Sequence, residues 1–396
     1  MKIALLGTTA NAVIGFRADL IKILYQQGHQ VYAFALDYQI ETHDQVTALG
    51  AVPVNYSLSR TGTNPFKDIK DTLALSHQLK RLKPDLVLCY FVKPCIFGTL
   101  AATLAGIKKR YAMLEGLGFS FTESLGKRKL KITLLKFIQL LLYRLIFPKL
   151  DALILLNPDD YQDLIVKAKI PVKRVHLLGG IGLNLKKYPY TAPSIKPITF
   201  LFIGRLLAEK GVYEYLDAAN TVKQNYPDVR FCLLGALDSQ NPGGLTANQL
   251  SQLLKKHNII YPGHVDDVTP WIARSSVFVL PSYREGVPRS TQEAMAMGRA
   301  VLTTDVPGCR ETVIQGVNGY LVPPRSPIAL AEKMVELIEN PQLIVEMGLA
   351  SYRIAQEKFD VHRVNQRLLT MLGIPSSSLH AQDNEAVNEQ IRVDDG

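Results

Sequence analysis

Short apolar runs alternate with longer segments of helical periodicity along most of this chain, and that alternation limits the fold more than any other feature. The run Lys2–Gly7 predicts a first strand, and apolar periodicity continuing to about Gln27 predicts the helix that follows. Strands that alternate with helices build a parallel sheet, because each helix returns the chain to the same edge. Further strands of this series are predicted at 30–36, 84–91, 110–114, 152–156 and 173–178.

The alternation stops once and then begins again. The stretch Gly179–Pro197 is rich in glycine and proline, and Ile198–Ile203 then predicts a new strand. Further strands of the second series are predicted at 229–234, around 259, and at 277–280, 300–303 and 319–322. The chain is therefore predicted to be an α/β protein of two Rossmann-like domains.

The predicted boundaries follow from this pattern. The first domain is residues 1–180, the hinge is 181–197, and the second domain is 198–351. A last helix at 352–372 is predicted to pack back on the first domain. Residues 375–396 are polar and acidic with few apolar groups, so they are predicted to form a disordered tail.

Composition and cysteine usage favour an enzyme of a reducing cytoplasm. Hydrophobic residues make up 47% of the 396 residues and charged residues 20%, which is typical of a soluble globular enzyme. The apolar run Ile3–Leu6 is too short for a signal peptide, and we expect no transmembrane segment. The four cysteines form neither a CxxC pair nor a disulfide framework. They are Cys89, Cys95, Cys232 and Cys309.

The net charge of +10 is distributed unevenly. Residues 1–196 hold 27 Lys and Arg against 13 Asp and Glu, a net of +14, whereas residues 197–396 hold 18 against 22, a net of −4. The basic half therefore predicts an anionic partner. No nucleic-acid-binding motif is present, so an anionic membrane surface is the better candidate.

Two carboxylates, Glu285 and Glu293, lie eight positions apart after the predicted strand 277–280. Open α/β sheets bind ligands beyond the carboxyl ends of their strands. Carboxylate oxygens accept hydrogen bonds from hydroxyls, and the amides of Arg289 and Ser290 at a helix start can hold a phosphate. These groups together suit a sugar nucleotide.

A structural alternative exists for Glu293. Ser290–Glu293 matches a capping box, in which Glu293 only ties down the helix start. Pro288, however, suits the first helical position, which would place Glu293 in the second turn, free to reach a ligand.

Two cations follow the first strand of the second domain. Arg205 and Lys210 bracket a predicted turn at the strand end. Arginine as a fork and lysine as a point charge can neutralise a diphosphate. The alternative is a solvated loop, which the carboxylates downstream make less favourable.

Four ordered segments resemble the retaining glycosyltransferase family 4, and the resemblance extends over nearly the whole chain. The segments are Gly204-Arg-Leu-Leu-Ala-Glu-Lys-Gly211, Pro281-Ser-Tyr-Arg-Glu-Gly-Val-Pro-Arg-Ser290 with Glu293-Ala-Met-Ala-Met-Gly298, Thr303-Thr-Asp-Val-Pro-Gly-Cys-Arg-Glu311 and Gly316-Val-Asn-Gly-Tyr-Leu-Val322. The resemblance implies the GT-B fold: two Rossmann-like domains face each other across a cleft, the first binding mainly the acceptor and the second mainly the nucleotide sugar.

The resemblance also implies roles for single residues. Arg205 and Lys210 would grip the donor diphosphate, Glu285 would hold the donor sugar, and Glu293 the ribose. Gly7 would let the acceptor-side loop approach the donor. The remaining implied donor-side positions are Gly263, Val265, Gly286, Val287, Arg289 and Ser290. No metal or other cofactor is expected.

One departure from the family concerns the loop 113–119. Many members carry a histidine there, whereas this chain has Glu115 followed by Gly116. A subgroup that builds lipid-linked oligosaccharides is similar here, with Glu-Gly-Leu-Gly. Together with this loop, two further segments resemble the transferases that add N-acetylgalactosamine to a diacetylbacillosamine carrier: Ser59-Arg-Thr-Gly-Thr-Asn-Pro-Phe66 and Gly180-Ile-Gly-Leu-Asn-Leu-Lys-Lys187. Glu115 is predicted to contact the donor or the acceptor. The alternative is a buried loop carboxylate bonded to backbone amides.

The segment 127–147 begins basic and continues strongly apolar. This pattern indicates a helix at a membrane interface, with cations on anionic headgroups. The alternative is a helix packed on the first sheet, and we expect a mixture of the two. The residues predicted to face the membrane are Lys127, Arg128, Lys129 and Lys131.

The function expected from these features is a metal-independent retaining glycosyltransferase at the inner face of the cytoplasmic membrane. It would move a hexose or N-acetylhexosamine from a UDP-sugar to a polyprenyl-diphosphate-linked saccharide for surface polysaccharide or glycan synthesis. The alternatives are a non-catalytic sugar-nucleotide-binding scaffold, for which the full set of cations and carboxylates is unnecessary, and a GT-B sugar-nucleotide epimerase.

Overall fold

The computed structural model describes residues 1–59, 65–122, 129–238, 241, 243–257 and 259–375. These residues form two separate parallel sheets, each with helices packed against it. The predicted α/β class with two Rossmann-like sheets is therefore confirmed. The tail predicted at 375–396 lies, except for its first residue, outside the described residues.

The first sheet has seven strands in the order β3-β2-β1-β4-β5-β6-β7. The strands are β1 Lys2–Leu6, β2 Gln30–Ala35, β3 Ala51–Asn55, β4 Leu86–Tyr90, β5 Lys109–Leu114, β6 Ala152–Leu155 and β7 Val175–Leu177. Its helices are α1 Ala10–Gln26, α2 Ile40–Ala48, α3 Pro65–Leu82, α4 Thr99–Leu104, α5 Lys129–Ile146 and α6 Pro158–Tyr161.

Strand β3 is the one strand of this sheet that the sequence pattern did not predict. It contains Pro53, which cannot donate a ladder hydrogen bond, and most of its residues are partly exposed. Both properties are typical of an edge strand, and β3 lies at one edge of the sheet.

Strand β1 shows why the strand sequences are continuous apolar runs. Ile3 and Leu5 belong to one buried cluster, whereas Ala4 and Leu6 belong to another on the opposite face. Because successive side chains point to opposite faces, a strand covered by helices on both sides needs apolar residues at every position.

The second sheet has six strands in the order β10-β9-β8-β11-β12-β13. The strands are β8 Thr199–Ile203, β9 Arg230–Leu234, β10 Ile260–Gly263, β11 Val277–Leu280, β12 Ala300–Thr304 and β13 Gly319–Val322. Its helices are α7 Val212–Asn225, α8 Ala247–His257, α9 Thr269–Ala273, α10 Arg289–Ala296, α11 Pro327–Glu339 and α12 Pro341–Lys358. Strand order reverses between β8 and β11, which is where such sheets bind ligands.

The helix predicted at 352–372 is in fact two helices. Helix α12 ends at Lys358, and α13 runs from Val361 to Met371. The break comes at Asp360, whose side chain accepts from the backbone N–H groups of His362 and Arg363 and so caps the start of α13.

Helix α13 returns the chain to the first domain. Leu183, in the segment that leaves the first sheet, donates its N–H to the carbonyl of Phe359 at 2.9 Å and accepts from the N–H of Val361 at 3.0 Å. Helix α13 also contacts α1. The outgoing and returning segments therefore lie side by side.

Candidate active site

Lys210 and Glu285 form an ion pair beyond the carboxyl ends of β8 and β11. Lys210 Nζ lies 2.5 Å from Glu285 Oε1, and the Ser282 hydroxyl donates to the same oxygen at 2.7 Å. Both charged side chains are mostly buried. A diphosphate can pair with Lys210, and sugar hydroxyls can donate to the Glu285 carboxylate. If the ion pair opens, a ligand could therefore replace the contact that each charge loses.

Arg205 follows β8 but is held in a different contact. Its Nη1 lies 2.7 Å from Asp238 Oδ2, beyond the end of β9, and about half of the side chain is exposed. The structure therefore places Arg205 at the rim of the strand ends, paired with Asp238 and not with the Lys210–Glu285 pair.

Helix α10 starts at Arg289, one residue later than the start predicted at Pro288. Pro288 is the N-cap and Arg289 the first helical residue, so Glu293 lies in the second turn. The capping-box alternative for Ser290–Glu293 is wrong, because Ser290 is already inside the helix. The amides of Arg289 and Ser290 belong to the first turn, where a helix offers no internal acceptors.

Glu293 lies in a small polar cluster at this helix. Its Oε1 accepts from the Tyr188 hydroxyl at 2.8 Å and from Arg289 Nε at 3.0 Å. The Arg289 guanidinium also lies 5.0 Å from the ring centre of Phe16, on α1 of the first domain. This end of α10 therefore faces the first domain.

Sequence reasoning missed Tyr188, because it lies in the glycine- and proline-rich hinge, far from α10 in the chain. Burial and the neighbouring Glu293 carboxylate raise the pKa of Tyr188 to about 12, so the hydroxyl stays a hydrogen-bond donor. No local pattern marks this residue as a partner of Glu293.

Glu115 pairs with a buried arginine of α1. The guanidinium of Arg17 contacts the Glu115 carboxylate, and both side chains are almost fully buried. Arg17 also lies 4.4 Å from the ring centre of Tyr90, and burial lowers its pKa to about 10. Arg17 was missed, although a charge among the buried positions of α1 was the available signal.

The loop of Glu115 touches the loop of Glu285 across the two domains. A Cβ atom on Gly286 would overlap the Glu115 carbonyl oxygen, and one on Gly116 would lie 3.3 Å from the Gly286 nitrogen. Gly116 also has a φ of +120°, which favours glycine. The predicted acceptor-side and donor-side loops are thus in direct contact.

The other predicted glycines have local roles. A side chain on Gly7 would overlap Tyr90, and the Gly7 carbonyl accepts from the Tyr56 hydroxyl at 2.5 Å. Packing against Tyr90 therefore accounts for a glycine at this position, and the approach of Gly7 to the donor stays a prediction. Gly263 ends β10 with a φ of +88°.

The remaining residues predicted on the donor side lie at different places in the second sheet. Gly263 and Val265 lie at the outermost strand, two strands from β8. Val287 is buried, and its carbonyl accepts from Gln292 Nε2 at 3.2 Å. Within residues 1–375, apart from the gaps given above, no group of three or more His, Cys, Asp or Glu is arranged to hold a metal ion.

Helix α5 has one packed face and one exposed apolar face. Tyr143 and Ile146 are buried, and Gln139 Oε1 accepts from the Ser120 hydroxyl at 2.6 Å. The exposed apolar face consists of Leu130, Leu134, Phe137, Ile138, Leu141 and Leu145. We call these six residues the α5 apolar face.

The basic start of α5 is described only in part. Lys131 is exposed on α5, whereas Lys127, Arg128 and the side chain of Lys129 lie outside the described residues. Among the helices that the structure describes, none is long and apolar enough to cross a membrane.

Two family models match this chain, one for each domain. Residues 2–155 match the model described as "Glycosyl transferase 4-like", and residues 197–340 match "Glycosyl transferases group 1". The two matches follow the two parallel sheets in order.

Curated relatives match over most of the chain. It is 28% identical over 384 residues to the N,N'-diacetylbacillosaminyl-diphospho-undecaprenol alpha-1,3-N-acetylgalactosaminyltransferase of Campylobacter jejuni, covering 94% of this chain and 98% of that protein. It is 26% identical to the UDP-Gal:alpha-D-GlcNAc-diphosphoundecaprenol alpha-1,3-galactosyltransferase of Escherichia coli, covering 65% of this chain and 67% of that one.

Solved structures share the fold. Sucrose-phosphate synthase from Thermosynechococcus elongatus matches with a TM-score of 0.77 at 18% identity, over 94% of this chain and 98% of that chain. HepE of Anabaena, in complex with UDP and glucose, matches with a TM-score of 0.73 at 18% identity, over 94% and 99% of the two chains.

Proposed function

Because this chain belongs to the glycosyltransferases that join a glycosyl transferase 4-like domain to a glycosyl transferases group 1 domain, we propose a specific reaction for it. The enzyme moves a hexose or N-acetylhexosamine from a UDP-sugar to a polyprenyl-diphosphate-linked saccharide, with retention at the anomeric carbon. The observation that carries the proposal is the buried Lys210–Glu285 pair at the switch point of the second sheet, directly against the loop of Glu115.

The proposed chemistry needs charge stabilisation more than a protein base. The bond from the anomeric carbon to the diphosphate oxygen breaks while the bond to the acceptor oxygen forms on the same face. The acceptor proton passes to the departing phosphate oxygen. Lys210, Arg205 and the first-turn amides of α10 stabilise the charge that builds on the diphosphate, without a metal ion.

The carboxylates bind hydroxyls in this scheme. Glu285, next to Lys210, holds the sugar where its anomeric carbon meets the leaving group. Glu293, held by Tyr188 and Arg289, holds the ribose. The Glu115 loop brings the acceptor hydroxyl from the first domain.

Two features support a lipid-linked acceptor. The two curated relatives described above act, by their names, on diphosphoundecaprenol-linked sugars. The α5 apolar face and the net charge of +14 in the first half suit a peripheral contact with the anionic inner face of the cytoplasmic membrane. The product belongs to surface polysaccharide or glycan synthesis.

The reaction is tested by incubating the protein with UDP- and GDP-sugars and a pool of lipid-linked saccharides, with mass spectrometry of the products. We expect one added hexose or N-acetylhexosamine with a UDP-sugar, and an α linkage by proton NMR. An epimerised nucleotide sugar without transfer would indicate the epimerase. If the protein neither transfers sugar nor slowly releases UDP from the donor alone, the result would indicate the scaffold.

The membrane contact is tested by co-sedimentation with vesicles of phosphatidylglycerol and phosphatidylethanolamine. Leu134→Glu with Phe137→Glu should strongly reduce binding, because the pair places two charges in the α5 apolar face. Ile328→Glu, which changes an apolar position on α11 of the second domain that is at least as exposed, is the control. Equal binding by both variants would exclude α5 as the contact.

A further inference from the structure

The loop that carries Glu285 is held from the first domain on its N-terminal side by an ion-pair cluster. Arg284 Nη2 lies 2.5 Å from Asp160 Oδ1 and 2.7 Å from Asp163 Oδ2. Asp160 is fully buried and Arg284 is nine-tenths buried. Asp160 and Asp163 follow β6 of the first sheet, so these contacts join the two domains.

The same loop is held on its C-terminal side by a neighbouring residue of the first domain. Asn157 Nδ2 donates to the carbonyl of Gly286 at 2.7 Å, and Asn157 is fully buried. Asn157 Oδ1 accepts from the backbone N–H of Asp160 at 2.8 Å, capping α6. One short turn of the first domain, residues 157–160, therefore contacts both neighbours of Glu285.

Glu285 itself makes its contacts within the second domain. Its carboxylate accepts from Lys210 and Ser282, and its N–H donates to the carbonyl of Pro307 at 3.0 Å. The side chain is thus oriented by the second domain, whereas the first domain holds its two neighbours, Arg284 through the guanidinium and Gly286 through the backbone carbonyl.

Stability alone is a weak reason for this arrangement. Desolvation offsets much of the attraction in a buried ion pair, and burial raises the pKa of Asp160 against the opposing effect of Arg284. Apolar residues of similar size would hold two domains together at least as well. A geometric role for the contacts explains them better.

We propose that Asn157 and Asp160 are positioning residues, which set the Glu285 turn for transfer when the acceptor domain is in place. The inference rests on the proposed function, because it acts through Glu285. Removing either contact lets the turn shift, and a displacement of about 1 Å at a reacting centre can cost up to 10²-fold in rate.

The residues proposed to hold the ribose lie outside this cluster. Glu293, Tyr188 and Arg289 form their own hydrogen bonds at α10. Loss of Asn157 or Asp160 should therefore lower kcat and leave the KM for the UDP-sugar within about twofold, which is the pattern of an interaction that counts mainly in the transition state.

The chain offers a matched control on the same turn. Asp159 also pairs with a residue of the second domain, Arg310, whose Nη1 lies 2.7 Å from Asp159 Oδ1. Arg310 lies beyond β12 and also pairs with Asp305. Asp159→Asn therefore removes the charge from a contact between the domains without touching residues 284–286.

The experiment compares steady-state transfer, thermal unfolding and UDP binding in five variants: Asp160→Asn, Asn157→Ala, Asp159→Asn, Glu285→Gln and the double variant Asp160→Asn with Glu285→Gln. We expect kcat to fall about 10- to 10²-fold for the first two and to stay near wild type for Asp159→Asn. In the Glu285→Gln background, Asp160→Asn should have little further effect, because both changes act through one residue.

The possible failures are distinguishable. Wild-type transfer by Glu285→Gln would overturn the assignment of the donor site in the proposed function. Impaired Glu285→Gln together with near-normal Asp160→Asn and Asn157→Ala would overturn the positioning role alone. Equal losses for Asp159→Asn and Asp160→Asn would mean that domain contact in general is what matters. Asn157→Ala, which keeps every charge, decides the case if Asp160→Asn does not fold.

Discussion

Several charged side chains near the junction of the two domains are held in pairs, and one of the most buried pairs sets a stability prediction. Arg17 and Glu115 are both almost fully buried. Removing one member of such a pair leaves the other charge buried without compensation, whereas replacing both with apolar groups can be nearly neutral.

We therefore expect Glu115→Leu to lower the free energy of unfolding by about 3–5 kcal/mol. The double variant Arg17→Leu with Glu115→Leu should recover most of that loss. Urea denaturation of the wild type, both single variants and the double variant measures the cycle. Additive losses in the double variant would show that the two charges are not energetically coupled, which would contradict this prediction.

Lys210 carries a prediction about rate. Lys210→Ala should slow transfer by roughly 10²–10³-fold, by analogy with the loss of a group that stabilises developing negative charge. Lys255→Ala, an exposed lysine on α8, is the control. Turnover by Lys210→Ala close to that of Lys255→Ala would contradict the donor-site assignment.

Glycines in two different elements lead to opposite predictions. Gly15 is exposed inside α1, and a Cβ there meets nothing within 4 Å. Gly15→Ala should therefore raise the free energy of unfolding by about 0.5–1 kcal/mol and leave transfer unchanged.

Gly286→Ala should reduce transfer at least about 10-fold, because its Cβ would push the Glu285 turn away from Glu115. Thermal unfolding and rate assays on both variants check this.

The elements were predictable where one local pattern decides the structure. Apolar runs bounded by turns identified twelve strands, because a strand with helices on both faces is apolar throughout. Strand β3 was not predicted, because Pro53 and partial exposure make an edge strand differ from a continuous apolar run. The break between α12 and α13 was not predicted either, because the apolar periodicity continues through the cap at Asp360.

Of the candidate site, only the residues that lie at strand ends could be predicted from the sequence. Lys210 and Glu285 follow β8 and β11, and adjacent parallel strands bring their carboxyl ends together. Tyr188 reaches Glu293 from 105 positions away, and Asn157 reaches Gly286 from 129 positions away. Such pairings depend on how segments far apart in the chain pack together, which no local pattern contains.

At the scale of the whole molecule, charge and apolar area are both concentrated on the first domain. Net charge is +14 for residues 1–196 and −4 for the rest, and the α5 apolar face lies on the first domain. Salt weakens attraction between charges but does not weaken apolar burial, so the two contributions to membrane binding are separable.

Raising NaCl from about 50 to about 300 mM should weaken binding to anionic vesicles several-fold, because the screening length shortens. The binding that remains at high salt should match the weak binding to neutral vesicles. Co-sedimentation with both vesicle types measures this. Binding to anionic vesicles that does not change with salt would show that charge asymmetry has no part in membrane contact.

The return of α13 to the first domain has a consequence for synthesis of the protein. In order of translation, the second sheet is an insertion between β7 and the helix that packs on α1. The ribosome completes the entire second domain before Val364 and Leu368 are made, and these side chains are buried in the finished molecule. Until α13 is synthesised, the surface of α1 that it contacts in the finished molecule therefore stays uncovered.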